Sequence, residues 1–290
     1  MSTLPGLIIR LFRLCKGWTL DEMAEQFSAW LKKWKKDRPD LWGNTINRWE
    51  LEQHRPPEDV EFRLKQFMEA HKFDWERWRA ATLMIDTLKL VDKHETRDHC
   101  IRVSDLAVKI GTRMYDKSKA DYYEKLFLIC LGGVLHDIGK IVSDVAQLVT
   151  LPRKLEADER LIVNTHAHLG SIILERICGK EVCDEGGAAY HHENLNGTGY
   201  PFGLRGKLEE GGQIPLSGRI LRVADEWDSR VVSKRDYRGG TTEDADKVMA
   251  EMMSRAEGDD PELDIDVMRA LREIERYKPK TKKTDERKAA

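Results

Sequence analysis

Imidazole nitrogens and carboxylate oxygens are natural ligands for Mn, Fe and Zn, and several must converge to hold more than one ion. This 290-residue sequence supplies them as a dispersed series: Glu95 and His99, His136-Asp137, His166, His191-His192 and Asp225. Glu95 and His99 are four positions apart, which stacks them on one face if a helix begins by Glu95. His136-Asp137 closes the apolar run Leu126 to Leu135, where the chain leaves a core and can present both side chains to a cleft. His166 is expected to open the next apolar helix. His191-His192 stands just before a glycine-rich stretch, and Asp225 falls in the helix after it. Each piece alone has an ordinary explanation: a chance His-Asp pair, a cap, a solvated turn, a polar helix position. His94 and His168 are placed in that ordinary class, since His168 is two residues from His166 and points away from it on a helix.

In this order the residues resemble the HD-GYP family of cyclic-dinucleotide phosphodiesterases. The match runs from Glu95 and His99 through His136-Asp137-Ile138-Gly139-Lys140 and from His166 to Gly170. It continues through His191-His192-Glu193-Asn194-Leu195-Asn196-Gly197-Thr198-Gly199-Tyr200-Pro201, then Ala224-Asp225-Glu226-Trp227-Asp228 and Arg235-Asp236-Tyr237-Arg238. The resemblance implies a helical bundle that hydrolyses cyclic di-GMP to linear pGpG, or onward to GMP. It also implies His99, His136, Asp137, His166, His191, His192 and Asp225 as metal ligands, with Asp137 bridging. Glu95 goes with a third ion, so two or three divalent ions, iron or manganese, are implied. Asp137 and Lys140 are then catalytic, Lys140 also meeting a substrate phosphate, with Arg235 on another phosphate and Tyr200 against the dinucleotide. The chemistry is coherent: bridging ions lower the pKa of a bound water and neutralise charge building on phosphorus. In-line attack by that hydroxide expels the 3′ oxygen. Three departures stand out. Asn196 replaces the usual aspartate, Lys207 to Gln213 reads as an insertion, and Asp225 to Arg235 is one residue longer than usual, which makes Lys234 and Arg238 rivals of Arg235.

The elements that must position these residues read as helices. Leu7, Leu11 and Leu14 follow helical spacing, and Gly17 can end that helix in a left-handed conformation. Thr19-Leu20-Asp21-Glu22 reads as a capping box that starts a second helix. Arg38-Pro39-Asp40 breaks the pattern, and Asn44 is expected to cap a third helix through about Glu52. Gly17 to Ala24 followed by Thr45 to Glu50 resembles the helix-turn-helix of phage-repressor-like DNA-binding proteins, which implies Thr45, Asn47 and Arg48 facing phosphates or base edges. The extra residues between the two halves hold Trp30, Trp34, Lys32, Lys33, Lys35 and Lys36. They suit either a basic arm or a tryptophan-packed cap or dimerisation module.

His54-Arg55-Pro56-Pro57 marks a boundary, with connecting helices over Val60 to Ala70 and Trp75 to Val91 that could pair two chains. Further helices are expected from Arg97, where Val103, Leu106, Ala107 and Ile110 share a face, and over Leu126 to Leu135, His166 to Cys178 and Leu216 to Val232. The glycine and proline density between His191 and Pro215 demands a loop. No alternating strand pattern is visible, and the lysine-rich tail reads as disordered. The expected fold is all-α: a small helix-turn-helix-like domain at 1–56, connecting helices at 57–90, an HD-type phosphohydrolase bundle at 91–277 and a basic tail at 278–290.

With 40% apolar and 34% charged residues the chain suits a packed, highly charged helical protein. A formal net charge of −2 gives no whole-chain reason to expect nucleic acid, so any such contact needs a local patch. The five cysteines are odd in number and scattered, which reads as free thiols in a reducing cytoplasm. The start lacks a basic region leading into an apolar one, and the longest apolar run is about half the roughly 20 residues a spanning helix needs. Neither export nor membrane insertion is expected. The functional reading is a cyclic di-GMP phosphodiesterase with an N-terminal regulatory or DNA-binding module. The alternatives are a nucleotide-sensing transcriptional regulator, or the same metal chemistry on a different nucleotide.

Overall fold

A computed structural model describes residues 6–32, 43–50, 56–72, 83–88, 91, 95–233 and 241–276. Among them the architecture is all-α, and the β pairing consists of two isolated bridges, Asn196 with Arg205 and Lys207 with Ile214. Several expectations lie outside the described residues: the breaker Arg38-Pro39-Asp40, Trp34 with Lys33, Lys35 and Lys36, the boundary residues His54 and Arg55, Trp75, His94, Lys234 to Arg238, and the tail from Lys278.

The N-terminal helices are α1 (Gly6–Lys16), α2 (Leu20–Lys32), α3 (Gly43–Glu50) and α4 (Glu58–Ala70). Gly17 ends α1 at φ +68°, and the Trp18 N–H reaches back to the Arg13 carbonyl, a left-handed cap. The capping box is formed: the Glu22 N–H donates to Thr19 Oγ1 at 3.1 Å and the Thr19 N–H to Glu22 Oε2 at 2.7 Å. Asn44 does not cap α3. Gly43 is already helical, so Asn44 lies within the helix rather than ahead of it.

The interior is organised around α6 (Tyr122–Leu135), in which every residue from Leu126 to Leu135 is buried. A helix apolar all round cannot face water on any side, so others must enclose it. Along it lies α5 (Glu95–Met114), whose buried residues recur at helical spacing from Thr96 and His99 through Val103 and Ala107 to Ile110. One core joins α6 to α1–α4 and to the helices α8 (Ala157–Ile177) and α9 (Lys180–Asp184). A second joins α5 to α10 (Leu216–Trp227), α11 (Ala245–Ala256) and α12 (Ile265–Arg276). The short α7 (Ser143–Val149) packs on α8. No single helix among the described residues is long and apolar enough to cross a membrane.

Two further helix boundaries differ from expectation. His166 does not open its helix; α8 begins nine residues earlier, at Ala157. Glu159 fixes that start, accepting from the Glu156 N–H at 2.8 Å and holding both terminal nitrogens of Arg153 at 2.7 Å. The first turn of α8, Ala157 to Arg160, carries no large apolar side chain and the next exposes Leu161 and Ile162, so apolar periodicity does not reveal the start. The helix expected over Leu216 to Val232 changes pitch at Asp228, where a π-helical turn (Asp228–Val232) takes over beside the site.

Candidate metal centre

His136 sits at the C-terminal end of α6, and Asp137 leads straight into a 3-10 turn, Ile138–Ile141. That turn lies so close to α8 that a Cβ on Gly139 would overlap the His166 carbonyl and the Gly170 nitrogen. Glycine is what lets the His136-Asp137 corner reach His166. His191-His192 follows the short turn Ala188–Tyr190, while His99 comes from α5 and Asp225 from α10. Five separate elements therefore meet at one point.

Asp137 stands at the centre. Its Oδ1 lies 3.2 Å from His166 Nε2 and 4.0 Å from His191 Nε2. Its Oδ2 lies 3.5 Å from His136 Nε2, 3.9 Å from His99 Nε2 and 2.5 Å from Lys140 Nζ. Two groups flank it, each with donor atoms within 4.8 Å of one another: His166, His191 and His192 on one side, His99, His136 and Asp225 on the other. His192 touches both, its Nε2 3.2 Å from His166 Nε2 and its Nδ1 3.9 Å from Asp225 Oδ2. Glu95, one turn before His99, belongs to neither group, and its Oε1 lies 3.7 Å from Arg102 Nη2.

The imidazoles are pre-oriented. In His136, His166 and His191 the Nδ1–H donates at 2.7 Å to the carbonyl three residues upstream, of Gly133, Val163 and Ala188 respectively. Each Nε2 lone pair is thereby turned into the cluster. His99 Nδ1 is 2.7 Å from Asp228 Oδ2, and Asp228 is held in turn by Arg102 Nε at 2.8 Å and Ser233 Oγ at 3.0 Å. Burial, reinforced by neighbouring histidines, pushes His191 down to about 3 and His192 well below its ordinary value, so both are neutral near pH 7. Burial alone would raise Asp137, but Lys140, His136 and His166 outweigh it and hold the carboxyl well below its usual range. Asp225 is also pulled well down: its burial is outweighed first by the hydrogen bond from His99. Neutral imidazoles and ionised carboxylates are the forms that bind cations.

The buried His136 Nε2 and Glu95 Oε1 have no hydrogen-bond partner. Buried polar atoms without partners are costly, and a bound cation satisfies such acceptors directly. The donor set therefore fits divalent metal ions. Cys100 also lies beside His136 and Asp137. Burial, then Asp137, pushes its thiol well above the ordinary range, which leaves imidazole and carboxylate as the ready donors.

Tyr200 closes one side of the cluster, its ring stacked on His192 with centroids 4.5 Å apart. Burial, then Asp225 and Asp137, raises its phenol, so it stays protonated and can donate. The Gly-Tyr-Pro loop, with a cis Tyr200–Pro201 peptide, is pinned by the buried Glu193, which accepts from the Phe202 N–H at 2.7 Å and the Leu204 N–H at 2.9 Å. Beside the histidines opens a cavity of about 230 Å³, lined by Lys140, His166, His192, Tyr200 and Asp225. The rest of its wall carries Leu148, Val149, Leu151, Leu155 and Val163 with Arg153, Lys154, Arg160 and Asn164.

Sequence reasoning gave no role to that wall, to Glu193 or to Asp228. For Asp228 a signal was present, since it follows Asp225 by three residues on one helical face. The wall has no such signal, because only tertiary folding brings the α7–α8 connection over the histidines. Lys140 and Tyr200 both reach the cluster, His168 is exposed on the outer side of α8, and Arg235 lies outside the described residues. In α3, Ile46, Trp49 and Glu50 are buried, Arg48 is exposed, and Thr45 and Asn47 are half-buried.

The family model described as HD domain matches residues 82–263, well over half of the chain, and the protein belongs to that family. Among curated relatives, 3'3'-cGAMP-specific phosphodiesterase 1 of Vibrio cholerae is 36% identical over 109 residues, covering 38% of this chain and 23% of the relative. Cyclic di-GMP phosphodiesterase of Thermotoga maritima is 35% identical over 151 residues, covering 50% of this chain and 36% of the relative. The chain thus spans about a quarter to a third of the length of the curated relatives it matches. A solved structure, Bd1817, a HDG"Y"P protein from Bdellovibrio bacteriovorus, matches with a TM-score of 0.46 and 19% identity, covering 62% of this chain and 52% of that one.

Proposed function

We propose that this protein is a metal-dependent phosphodiesterase of the HD-GYP type that opens a cyclic dinucleotide, cyclic di-GMP or 3'3'-cGAMP, to the linear dinucleotide or to GMP-type products. The observation that carries this reading is the sharing of Asp137 between two groups of imidazoles and carboxylates at the mouth of a cation-lined cavity. His166, His191 and His192 would hold one ion, and His99, His136 and Asp225 a second, with one Asp137 oxygen directed to each. Glu95, whose buried Oε1 makes no hydrogen bond, is the residue for a third ion. Iron and manganese both suit this nitrogen and oxygen set. Bound ions supply Lewis acidity and a water of lowered pKa.

The chain's own residues do the rest. The carbonyls behind His136, His166 and His191 hold the rings so that no reorientation is needed when substrate arrives. Lys140 sits at the rim of the cavity and at Asp137, where its ammonium can balance phosphate charge. Arg235 is assigned the same role toward another phosphate. Tyr200, held against His192, can donate its hydroxyl to a substrate oxygen. The names of the curated relatives support the substrate class.

The test is anaerobic purification with metal analysis, followed by incubation with cyclic di-GMP and 3'3'-cGAMP and chromatography of the products. Two or three equivalents of iron or manganese, with linear dinucleotide appearing, are expected. Metal without turnover of either compound moves the reading to a different nucleotide or to sensing, and no metal after reconstitution removes it.

For the N-terminal helices we propose a regulatory role in the cytoplasm, with DNA contacts at Thr45, Asn47 and Arg48. The supporting observation is that α3 turns Ile46 and Trp49 inward and leaves Arg48 at the surface, as a groove-reading helix requires. Binding to duplex DNA that weakens steeply with salt and is lost in Arg48→Ala is the expected result. Salt-independent behaviour, or a stable homodimer that buries α3, overturns it.

A further inference from the structure

A cyclic dinucleotide carries two things that a simple phosphodiester lacks, a second phosphate and a pair of purines. If such a ring is opened at the histidine cluster, its other half must rest somewhere within reach. The cavity beside the cluster has the right chemistry in the rest of its wall: apolar side chains for the face of a base, cations for a phosphate and one amide for a base edge.

Four cations line this cavity, and two are already committed. Lys140 Nζ is 2.5 Å from Asp137 Oδ2, and Arg153 places both terminal nitrogens on Glu159 at 2.7 Å. Arg160 and Lys154 make no ion pair among the described residues. Arg160 is exposed on the first turns of α8, yet near enough to Tyr200 for its guanidinium to act on the buried phenol. Asn164 is one helical turn further along α8, on the same face as Arg160 and half-buried, and its side-chain amide makes no hydrogen bond among the described residues. An uncommitted guanidinium and an uncommitted amide thus stand one turn apart beside Leu155 and Val163. Such a guanidinium matches a phosphate by a charge-assisted fork, and an amide can both donate to and accept from a purine edge.

We infer that Arg160 and Asn164 form a nucleotide subsite, Arg160 taking the phosphate that is not cleaved and Asn164 the edge of the adjoining base. This rests on the cyclic-dinucleotide reading and makes the α7–α8 connection a determinant of substrate choice. It predicts that the protein prefers a substrate with two phosphates over a diester with one.

The full-length Arg160→Ala and Asn164→Ala variants test it in two ways. Binding of cyclic di-GMP is measured by equilibrium dialysis with chelator present, where no turnover intervenes. Steady-state kinetics are then measured on metal-reconstituted protein with cyclic di-GMP and with bis(p-nitrophenyl) phosphate, a diester with one phosphate and no base. Loss of about tenfold in binding and a matching rise in KM for cyclic di-GMP are expected, with kcat and the rate on the simple diester unchanged and partial rescue by Arg160→Lys. Unaltered binding and KM, or a parallel loss on both substrates, overturns the subsite. Wild-type protein that cleaves the simple diester but binds no cyclic dinucleotide overturns both readings. Binding that persists without hydrolysis of any diester, and is weakened by Arg160→Ala, leaves the subsite standing while the phosphodiesterase reading falls.

Discussion

At the scale of residues, the site separates atoms that bind from atoms that aim. His136 Nε2 is buried and unpartnered, whereas its Nδ1 is fixed on the Gly133 carbonyl. His136→Ala removes the Nε2 donor together with a buried ring whose ring neighbours, His99 and His191, belong to the same cluster, so metal and turnover should be lost while helical content stays. Metal analysis beside far-ultraviolet circular dichroism checks this, and a full metal complement in the variant would sink the ligand assignment. Asp228 aims without binding: its contact is to His99 Nδ1, on the far side of the ring from the cluster. Asp228→Asn keeps the shape but replaces a charged acceptor by an amide. Metal affinity should fall about 10- to 100-fold, read by competition with a chromophoric chelator. Unchanged affinity would mean that His99 needs no such support.

At the scale of elements, the site depends on approaches that side chains alone do not reveal. The 3-10 turn after Asp137 lies against the backbone of α8, and Gly139 is where they meet. Because the obstruction to a Cβ there is backbone on both sides, Gly139→Ala must push the turn away from His166. A cost of about 3 kcal/mol is expected, with metal affinity falling alongside Tm. Equal affinity with lowered Tm would show that the two histidine groups tolerate separation.

The same elements show what could be read from sequence and why. The run Leu126 to Leu135 was legible because a wholly interior helix must be apolar on every side. The gathering of imidazoles and carboxylates was legible because these residues keep their order even when scattered over five elements. The start of α8 was not, since its first turn lacks large apolar residues, Leu161 and Ile162 after it face solvent, and its cap is built from Glu159 rather than from serine or threonine. Nor was the cavity wall, because nothing local in Arg153 to Asn164 records which residues lie across from it.

At the scale of the whole molecule, the N-terminal helices are not an appendage. Ile8, Ile9, Leu11 and Phe12 of α1 are buried in the same core as Leu128, Leu131 and Leu135 of α6. Glu50 at the end of α3 takes Arg13 Nε at 2.6 Å and Arg13 Nη2 at 3.0 Å. Arg10 lies between Glu50, 3.8 Å away, and Asp105 of α5, with which it forms an ion pair. The helix that bears His99 is thus tied to the N-terminal unit through one buried guanidinium, so a shared core and a shared charge make separate unfolding costly. A single calorimetric transition is expected for the chain, with loss of metal and loss of the α1 contacts coinciding. Arg10→Met keeps the apolar stem but cuts the link to Asp105. Asp105 can turn to solvent and Glu50 keeps Arg13, so the cost should be about 2 kcal/mol, seen as a Tm lower by several degrees in that one transition. Two resolved transitions, with Arg10→Met moving the first and leaving the metal-bearing one in place, would show instead that the N-terminal helices fold apart from the bundle and can be exchanged without touching the site.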